Sequence, residues 1–291
     1  MPRPLVDSPY LVPFDGSFRV AAAPTRRPDG APKKKESRRI LADLTLSMRE
    51  LQRKLYADDR YSLLLVFQAM DAAGKDGTIR AVMTGINPAG CQVYSFKQPS
   101  AEELDHDFLW RIYQCLPERG RIGIFNRSHY EEVLVVRVHP EYLGGQRLPR
   151  CDVPTVFDQR LESIRDVERH LARNGTVILK FWLNVSRDEQ RERFLARIDE
   201  PEANWKFSAS DVKERGYWDR YMEAYEQALN GTSRSYAPWY AIPADSKSFM
   251  RTQVAQIVVD TMARLDIGYP VVTEQRRAAM LEWRQQLMDE D

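Results

Sequence analysis

The four residues Leu63–Val66 run without a polar interruption into FQAMDAAGKDGTIR, Phe67–Arg80. Four apolar residues in a row read as a buried strand, and the small residues behind them read as a turn into a helix. Backbone N–H groups at such a helix start can donate to a phosphate, Lys75 adds a full positive charge, and the absent Cβ of Gly74 allows close approach. The loop Asp71, Ala72, Ala73, Gly74, Lys75, Asp76, Gly77, Thr78 is therefore a candidate phosphate cradle. It departs from the pattern GxxxxGK[ST] twice, with Ala69 at the first glycine and Asp76 at the hydroxyl that binds Mg²⁺. A glycine-containing turn of no special function is the plain alternative, so the rest of the chain must decide.

The apolar run is followed by others. Helical spacing of Leu41, Leu44, Met48, Leu51 and Leu55 predicts a helix over 40–56. Strands are expected at 63–67, 92–96, 122–125 and 176–183, with helices to about Met83, over 101–115 and after each of the later strands. Strands alternating with helices predict an α/β fold, a mostly parallel sheet with helices on both faces. Residues 1–39, rich in Pro and basic residues including Lys33, Lys34 and Lys35, read as an extended, solvated arm. Residues 271–291 read as a charged C-terminal helix carrying Met280, Leu281 and Trp283, able to pack on the body or on a partner.

In a parallel sheet the ligand lies outside the carboxyl ends of the strands. The second strand end offers Lys97, the third Asn126 and Arg127, the fourth Asn184 and Arg187. The third opens GIFNRSHYEE, which adds the carboxylates Glu131 and Glu132. The next helix starts on a capping box, Ser186 with Glu189, and is expected to bury Phe194, Leu195 and Ile198. Its arginines fall in pairs four apart, Arg187 with Arg191 and Arg193 with Arg197. Residues 199–218 mix Lys206, Lys213 and Arg215 with Trp205, Phe207 and Trp218, and suit a mobile lid that closes cations over a phosphate chain.

Net charge excludes a global field. Lys+Arg number 43 against 42 Asp+Glu, so affinity for a polyanion must come from local clusters. Cys91, Cys115 and Cys151 form no CxxC pair, which fits a reducing compartment, the cytoplasm by default. No leader is expected in the first residues, and no stretch reaches the ~18 apolar residues of a membrane span. With four histidines and no paired spacing, a zinc site is not expected; His129 and His139 are assigned structural or hydrogen-bonding roles. Tyr221, Tyr225 and Leu229, spaced i, i+4, i+8, are read as core.

Five ordered stretches carry a resemblance: MDAAGKDGTIR (Met70–Arg80), SFKQPSAEELDHDFLWR (Ser95–Arg111), IGIFNRSHYEEVLVVRVHPE (Ile122–Glu141), WKFSASDVKERGYWDRYMEAYE (Trp205–Glu226) and SYAPWYAIPAD (Ser235–Asp245). Over roughly residues 40–265 the chain resembles polyphosphate kinase family 2. That resemblance implies a P-loop domain similar to thymidylate kinases over 40–270, with a helical lid. It implies Mg²⁺-dependent, reversible phosphoryl transfer between inorganic polyphosphate and a nucleotide.

Carried onto this chain, the resemblance makes Lys75 the contact to the transferring phosphate and Asp71 the metal ligand, in place of the missing Ser/Thr. It makes Arg127 the neutraliser of phosphoryl charge. Lys97, Arg187, Arg191, Arg193, Arg197 and Lys206 are weaker candidates for polyphosphate or nucleotide contacts. Many members carry Asp after the third strand, whereas this chain has Asn126 and Glu131. That form resembles the subgroup accepting both mono- and diphosphates, so adenine nucleotides are the expected acceptors, with guanine nucleotides the further class. A homodimer or homotetramer is expected, with no nucleic acid and no membrane partner. Two other readings stay open: an ATP-dependent nucleotide kinase, and a polyanion-binding protein without turnover.

Overall fold

The computed structural model describes residues 5–149 and 151–290. In chain order it holds α1 (Lys34–Asp58), β1 (Ser62–Gln68), α2 (Lys75–Val82), β2 (Cys91–Ser95), the single turns α3 (Ala101–Leu104) and α4 (Trp110–Tyr113), β3 (Ile122–Asn126) and the single turn α5 (Val135–Val138). Then follow α6 (Val153–Arg173), β4 (Thr176–Asn184), α7 (Arg187–Asp199), α8 (Ala209–Arg215), α9 (Trp218–Thr232), β5 (Trp239–Pro243), α10 (Lys247–Ala263) and α11 (Glu274–Met288).

The five strands form one sheet in the order β2-β3-β1-β4-β5, and each neighbouring pair is parallel. β1 lies in the middle, which is why every residue of it is buried and why its sequence is continuously apolar. Phe67, Phe181 and Tyr240 stand in register across β1, β4 and β5, and their rings stack at 5.2 and 5.9 Å. Phe67 also pairs with Asn126 of β3. The chain after β1 and the chain after β3 therefore leave the sheet side by side at its carboxyl edge. Among the described residues no helix is long and apolar enough to cross a membrane.

The structure departs from the sequence reading at five places. β5 lies outside the expected strands, because Pro238 precedes it and Pro243 ends it, and proline argues against a strand interior. The arm is not a solvated tail. Val12 and Tyr10 are buried, Val12 N–H donates to the Trp239 carbonyl (2.9 Å) and Ala241 N–H to that of Tyr10 (2.8 Å), so the arm covers the β5 edge. α1 begins at Lys34, taking the end of the expected arm into the helix. The helix expected over 101–115 is two single turns, because the Asp107 carboxylate accepts from Leu109 N–H (2.9 Å) and restarts the chain. In α7 Phe194 is buried, but Leu195 and Ile198 are exposed, their places on the inner face being taken by Gln190 and Arg193.

Beneath the exit of β3 lies a polar cluster inside the core. Lys180 Nζ donates to Glu168 Oε2 (2.6 Å), to the Tyr130 hydroxyl (2.8 Å) and to the Thr232 carbonyl (2.9 Å), and Tyr130 in turn donates to Glu168 Oε1 (2.8 Å). His129, next to it, is different: both ring nitrogens are buried without a hydrogen-bond partner. Its role is packing, against the Tyr130 ring at 4.7 Å, whereas His139 does hydrogen-bond, to Glu141 and Glu214.

Burial, aided by Lys180, pulls the His129 pKa down to about 3. An unfolded chain protonates this histidine near 6.5, so neutral burial stabilises the fold fully above that pH and progressively less as pH falls toward 3. The expected loss at pH 5 is about 2 kcal/mol relative to pH 7 from this group, at roughly 1.4 kcal/mol per pH unit. Urea unfolding of the natural chain and of His129→Leu at both pH values measures it; identical pH slopes would remove the assignment.

Candidate active site

After Gln68 the chain turns through Ala69–Gly74 into α2. Ala72 (φ +61°) and Gly74 (φ +106°) both take the left-handed conformation. At Gly74 this needs glycine, and a Cβ there would also meet Met250 Cε at 3.2 Å. Ala72 tolerates it at a cost of roughly 1–2 kcal/mol, which the surroundings must offset.

Arg193 supplies that support from behind the loop. Its Nη1 donates to the carbonyls of Ala72 (3.0 Å) and Ala73 (2.7 Å), its Nη2 to those of Ala244 (2.7 Å) and Asp245 (3.1 Å), and its Nε to Glu189 (2.8 Å). Gln190 Nε2 donates to the Asp71 carbonyl (2.9 Å). With the carbonyls drawn inward, the first N–H groups of α2 are left at the cradle without intrahelical partners, the first helical bond running from Thr78 N–H to the Gly74 carbonyl (3.0 Å). Lys75 Nζ donates to the Ala69 carbonyl (2.8 Å) across the mouth of the loop. Burial, then the nearby Arg127, pulls its pKa down to about 8.

Arg127 faces the loop from β3. Its Nη2 donates to Asp71 Oδ1 (2.5 Å) and its Nη1 to Glu131 Oε2 (3.1 Å). The Glu131 carboxylate, with Asp71, raises an already high pKa, so the guanidinium is held charged. Arg127 itself has φ +62°, a left-handed non-glycine residue fixed where the chain crosses from β3 to the site. Asn126 Nδ2 donates to Asp76 Oδ1 (2.6 Å).

Asp71, Arg127 and Glu131 open onto a cleft whose far wall is Leu134, Val135, Tyr221 and Tyr225, with a free volume of about 20 Å³. α8 lies across it. Glu214 accepts from the Tyr221 hydroxyl (2.6 Å) and meets His139 Nε2 at 2.9 Å, while Arg215 Nη1 donates to the Arg187 carbonyl (2.6 Å) and to Gln190 Oε1 (2.8 Å). Asp211 accepts from Arg197 Nη1 at 3.4 Å, and burial beside Asp71 raises its pKa.

The structure thus brings together Asp71, Lys75, Asp76, Asn126, Arg127 and Glu131 from two strand ends. Other candidates stand elsewhere. Thr78 is buried and donates to the Gly74 carbonyl (2.9 Å), so its hydroxyl serves the helix. Arg193 has every N–H engaged and positions the loop instead of reaching a ligand. Arg187 and Arg191 lie on the exposed face of α7, the latter against Glu192 at 3.3 Å, and Arg197 is turned to α8. Lys97 is exposed, its carbonyl taken by Arg111 (2.9 Å). The Lys206 side chain lies outside the described residues. Glu132 points away from the site, buried against Arg160 at 3.0 Å. Tyr221 and Tyr225 are buried as expected of core, yet they also form the cleft wall, which periodicity alone does not reveal.

The family model described as Polyphosphate kinase 2 matches residues 31–268. The chain is 58% identical over 241 residues, 82% of its length and 83% of the relative's, to an ADP-polyphosphate phosphotransferase of Rhodopseudomonas palustris. It is 47% identical over 264 residues, 90% of its length and 94% of the relative's, to an AMP/ADP-polyphosphate phosphotransferase of Meiothermus ruber. The crystal structure of Polyphosphate Kinase 2 from Arthrobacter aurescens superposes with a TM-score of 0.83 at 38% identity, covering 91% of this chain and 93% of that one.

Proposed function

The chain belongs to the polyphosphate kinase 2 family, and on that premise we propose that it transfers the terminal phosphoryl group of inorganic polyphosphate to ADP and to AMP, reversibly. The observation that carries this reading is the meeting of Lys75, Arg127 and Asp71 at one cradle beside an aromatic-walled cleft. Phosphoryl transfer calls for positioning and charge stabilisation more than for covalent chemistry. The cradle supplies backbone N–H groups and Lys75 for one phosphate, and Arg127 faces the same spot from the other strand. Asp71 and Glu131 hold Arg127 in place until a phosphate takes their role.

Mg²⁺ is the proposed cofactor. Among the described residues no three His, Cys, Asp or Glu side chains gather as a metal cage, which fits an ion held by one or two carboxylates together with phosphate oxygens and water. Asp71 is the proposed protein ligand, and the ion would supply neutralisation of phosphate charge. Asp76 is tied to Asn126.

The acceptor belongs in the cleft, where Tyr221 and Tyr225 offer faces to a base. Because its free volume is about 20 Å³ and ligand sites run to roughly 300–1,000 Å³, entry requires α8 to swing away, the behaviour proposed for the 199–218 segment as a lid. Acceptance of both AMP and ADP rests on the Asn126/Glu131 form and on the printed name of the Meiothermus relative; the Rhodopseudomonas relative's name carries ADP alone. A homo-oligomer is proposed because α11 buries none of its residues and exposes Met280, Leu281 and Trp283. A cytoplasmic setting is proposed from the free thiols of Cys91, Cys115 and Cys151.

The test is formation of ADP and ATP by purified protein given Mg²⁺, long-chain polyphosphate and either AMP or ADP, with no other donor. Product from both acceptors is expected. Product from ADP alone would reject the dual-acceptor reading. No product with polyphosphate, but turnover with ATP, would move the chain to the ATP-dependent nucleotide kinases, and binding without any turnover would leave a polyanion-binding protein.

A further inference from the structure

The segment after residue 268 lies beyond the family match, and it carries α11, which buries none of its residues. Two rows of apolar side chains run along one side of that helix. Met280, Trp283 and Leu287 are spaced i, i+3, i+7, and Leu281 and Met288 form the row beside them. All five are exposed, and Arg277 and Arg284, seven apart, lie between the rows. An exposed apolar stripe of this kind marks a protein contact, and its interleaved cations set the sign of what it meets.

A surface of opposite sign stands at the base of the lid. The side of α7 turned away from the cradle carries Leu195 and Ile198, and Trp205 follows on the 3-10 segment Pro201–Lys206. Asn204 fastens that segment to α7, its Nδ2 donating to the carbonyls of Arg197 and Ile198, both at 2.8 Å. The three apolar side chains are exposed, and the exposed carboxylates Glu192, Asp199, Glu200 and Glu202 border them.

We propose that the apolar stripe of α11 docks on the Leu195, Ile198 and Trp205 surface of a second copy of this chain, which returns its own α11 to the first copy in the same way. The proposal rests on the homo-oligomer reading above and adds the two surfaces that meet. Charge decides the pairing. Stripe against stripe would set Arg277 and Arg284 of two copies face to face, a like-charge contact that costs association. On the α7 surface the same guanidiniums meet carboxylates, which they can pair through two hydrogen bonds each.

Geometry favours a second copy over the chain's own lid. Gly268 N–H donates to Asp58 Oδ2 (3.2 Å), at the end of α1 and just before β1, so the chain leaves the fold at the amino edge of the sheet. The five residues from Gly268 to Thr273 span at most ~18 Å. α7 starts from the carboxyl edge, at the far end of the nine-residue β4, a strand about 30 Å long. Reciprocal docking has two-fold symmetry and makes the contact twice. Each contact then needs about 600 Å² to reach the ~1,200 Å² of a stable interface, and a helix of 15 residues, roughly 22 Å long, is of that scale. The docked helix would brace the back of α7, whose inner face holds the cradle loop through Gln190 and Arg193.

The test exchanges charges in the full chain. Sedimentation equilibrium gives the self-dissociation constant of the natural protein, of Arg277→Glu/Arg284→Glu, of Glu192→Arg/Asp199→Arg, and of an equimolar mixture of the two variants. Each variant alone is expected to dissociate at least about tenfold more readily, because charge pairs become repulsions. The mixture is expected to regain the natural constant, since in a pair of unlike variants one contact is natural and the other has both charges reversed. Trp283→Ala and Leu195→Ala, which change no charge, should each weaken association as well. All these positions are exposed, so the core is untouched, and circular dichroism checks the folding of each variant. An oligomer that either exchanged variant leaves intact overturns the proposal. So does a mixture that regains nothing, the result expected if α11 docks on its own chain's lid. A natural protein that sediments as a monomer overturns the homo-oligomer reading itself.

Discussion

Lys75→Ala should leave a folded protein whose kcat/KM with polyphosphate falls by roughly a thousandfold, at the upper end of what removing one oriented charge stabiliser costs. The expectation follows from what Lys75 touches. Its ammonium donates to the Ala69 carbonyl at 2.8 Å and approaches that of Met70 at 3.5 Å, neutral acceptors that a phosphate displaces without leaving a charge unpaired. Removing it therefore costs the fold only a hydrogen bond, about 1 kcal/mol. For the transferring phosphate the loss is a full charge inside a partly desolvated loop, where its field is strongest. Steady-state kinetics with ADP as acceptor, alongside a thermal melt, separate the two effects. A folded variant with near-normal turnover would remove Lys75 from the site.

The contrast between Lys75 and Arg193 shows where sequence reasoning reaches. Lys75 was legible because the strand, the small-residue turn and the helix start are consecutive in the chain, and their chemistry is local. Asn126, Arg127 and Glu131 were legible for the same reason, each read from the end of one apolar run. Arg193 looked like a ligand candidate because helical spacing gives a face but not what that face meets. It meets the carbonyls of Ala72, Ala73, Ala244 and Asp245, residues brought there by β1 and β5. β5 was hidden by its flanking prolines. The docked arm was hidden because its pairing with Tyr240 and Trp239 is carried by backbone atoms, which leave little trace in side-chain pattern.

Lys180→Met should destabilise the fold by roughly 3–5 kcal/mol, the cost of leaving one member of a buried ion pair without its partner. Lys180 is fully buried in the middle of β4, a position where a parallel strand covered on both faces calls for an apolar residue. Its three N–H groups are all satisfied, by Glu168, Tyr130 and Thr232, so methionine strips the Glu168 carboxylate of its counter-charge, leaving it only the Tyr130 hydroxyl, and takes the donor from the Thr232 carbonyl. Glu168→Leu added to Lys180→Met removes the orphaned charge and should recover most of the loss, because well-packed apolar side chains often match a buried pair in stability. Urea unfolding of the two variants at pH 7 measures this. A single variant that costs less than about 1 kcal/mol would mean that the pair contributes no more than a surface contact. The double variant carries a second message. Tyr130 lies between Arg127 and Glu131 in sequence, and its hydroxyl is fixed by the same pair. If the cluster also aims Arg127, the repacked double variant should be stable and yet slower, with kcat reduced and KM for ADP nearly unchanged.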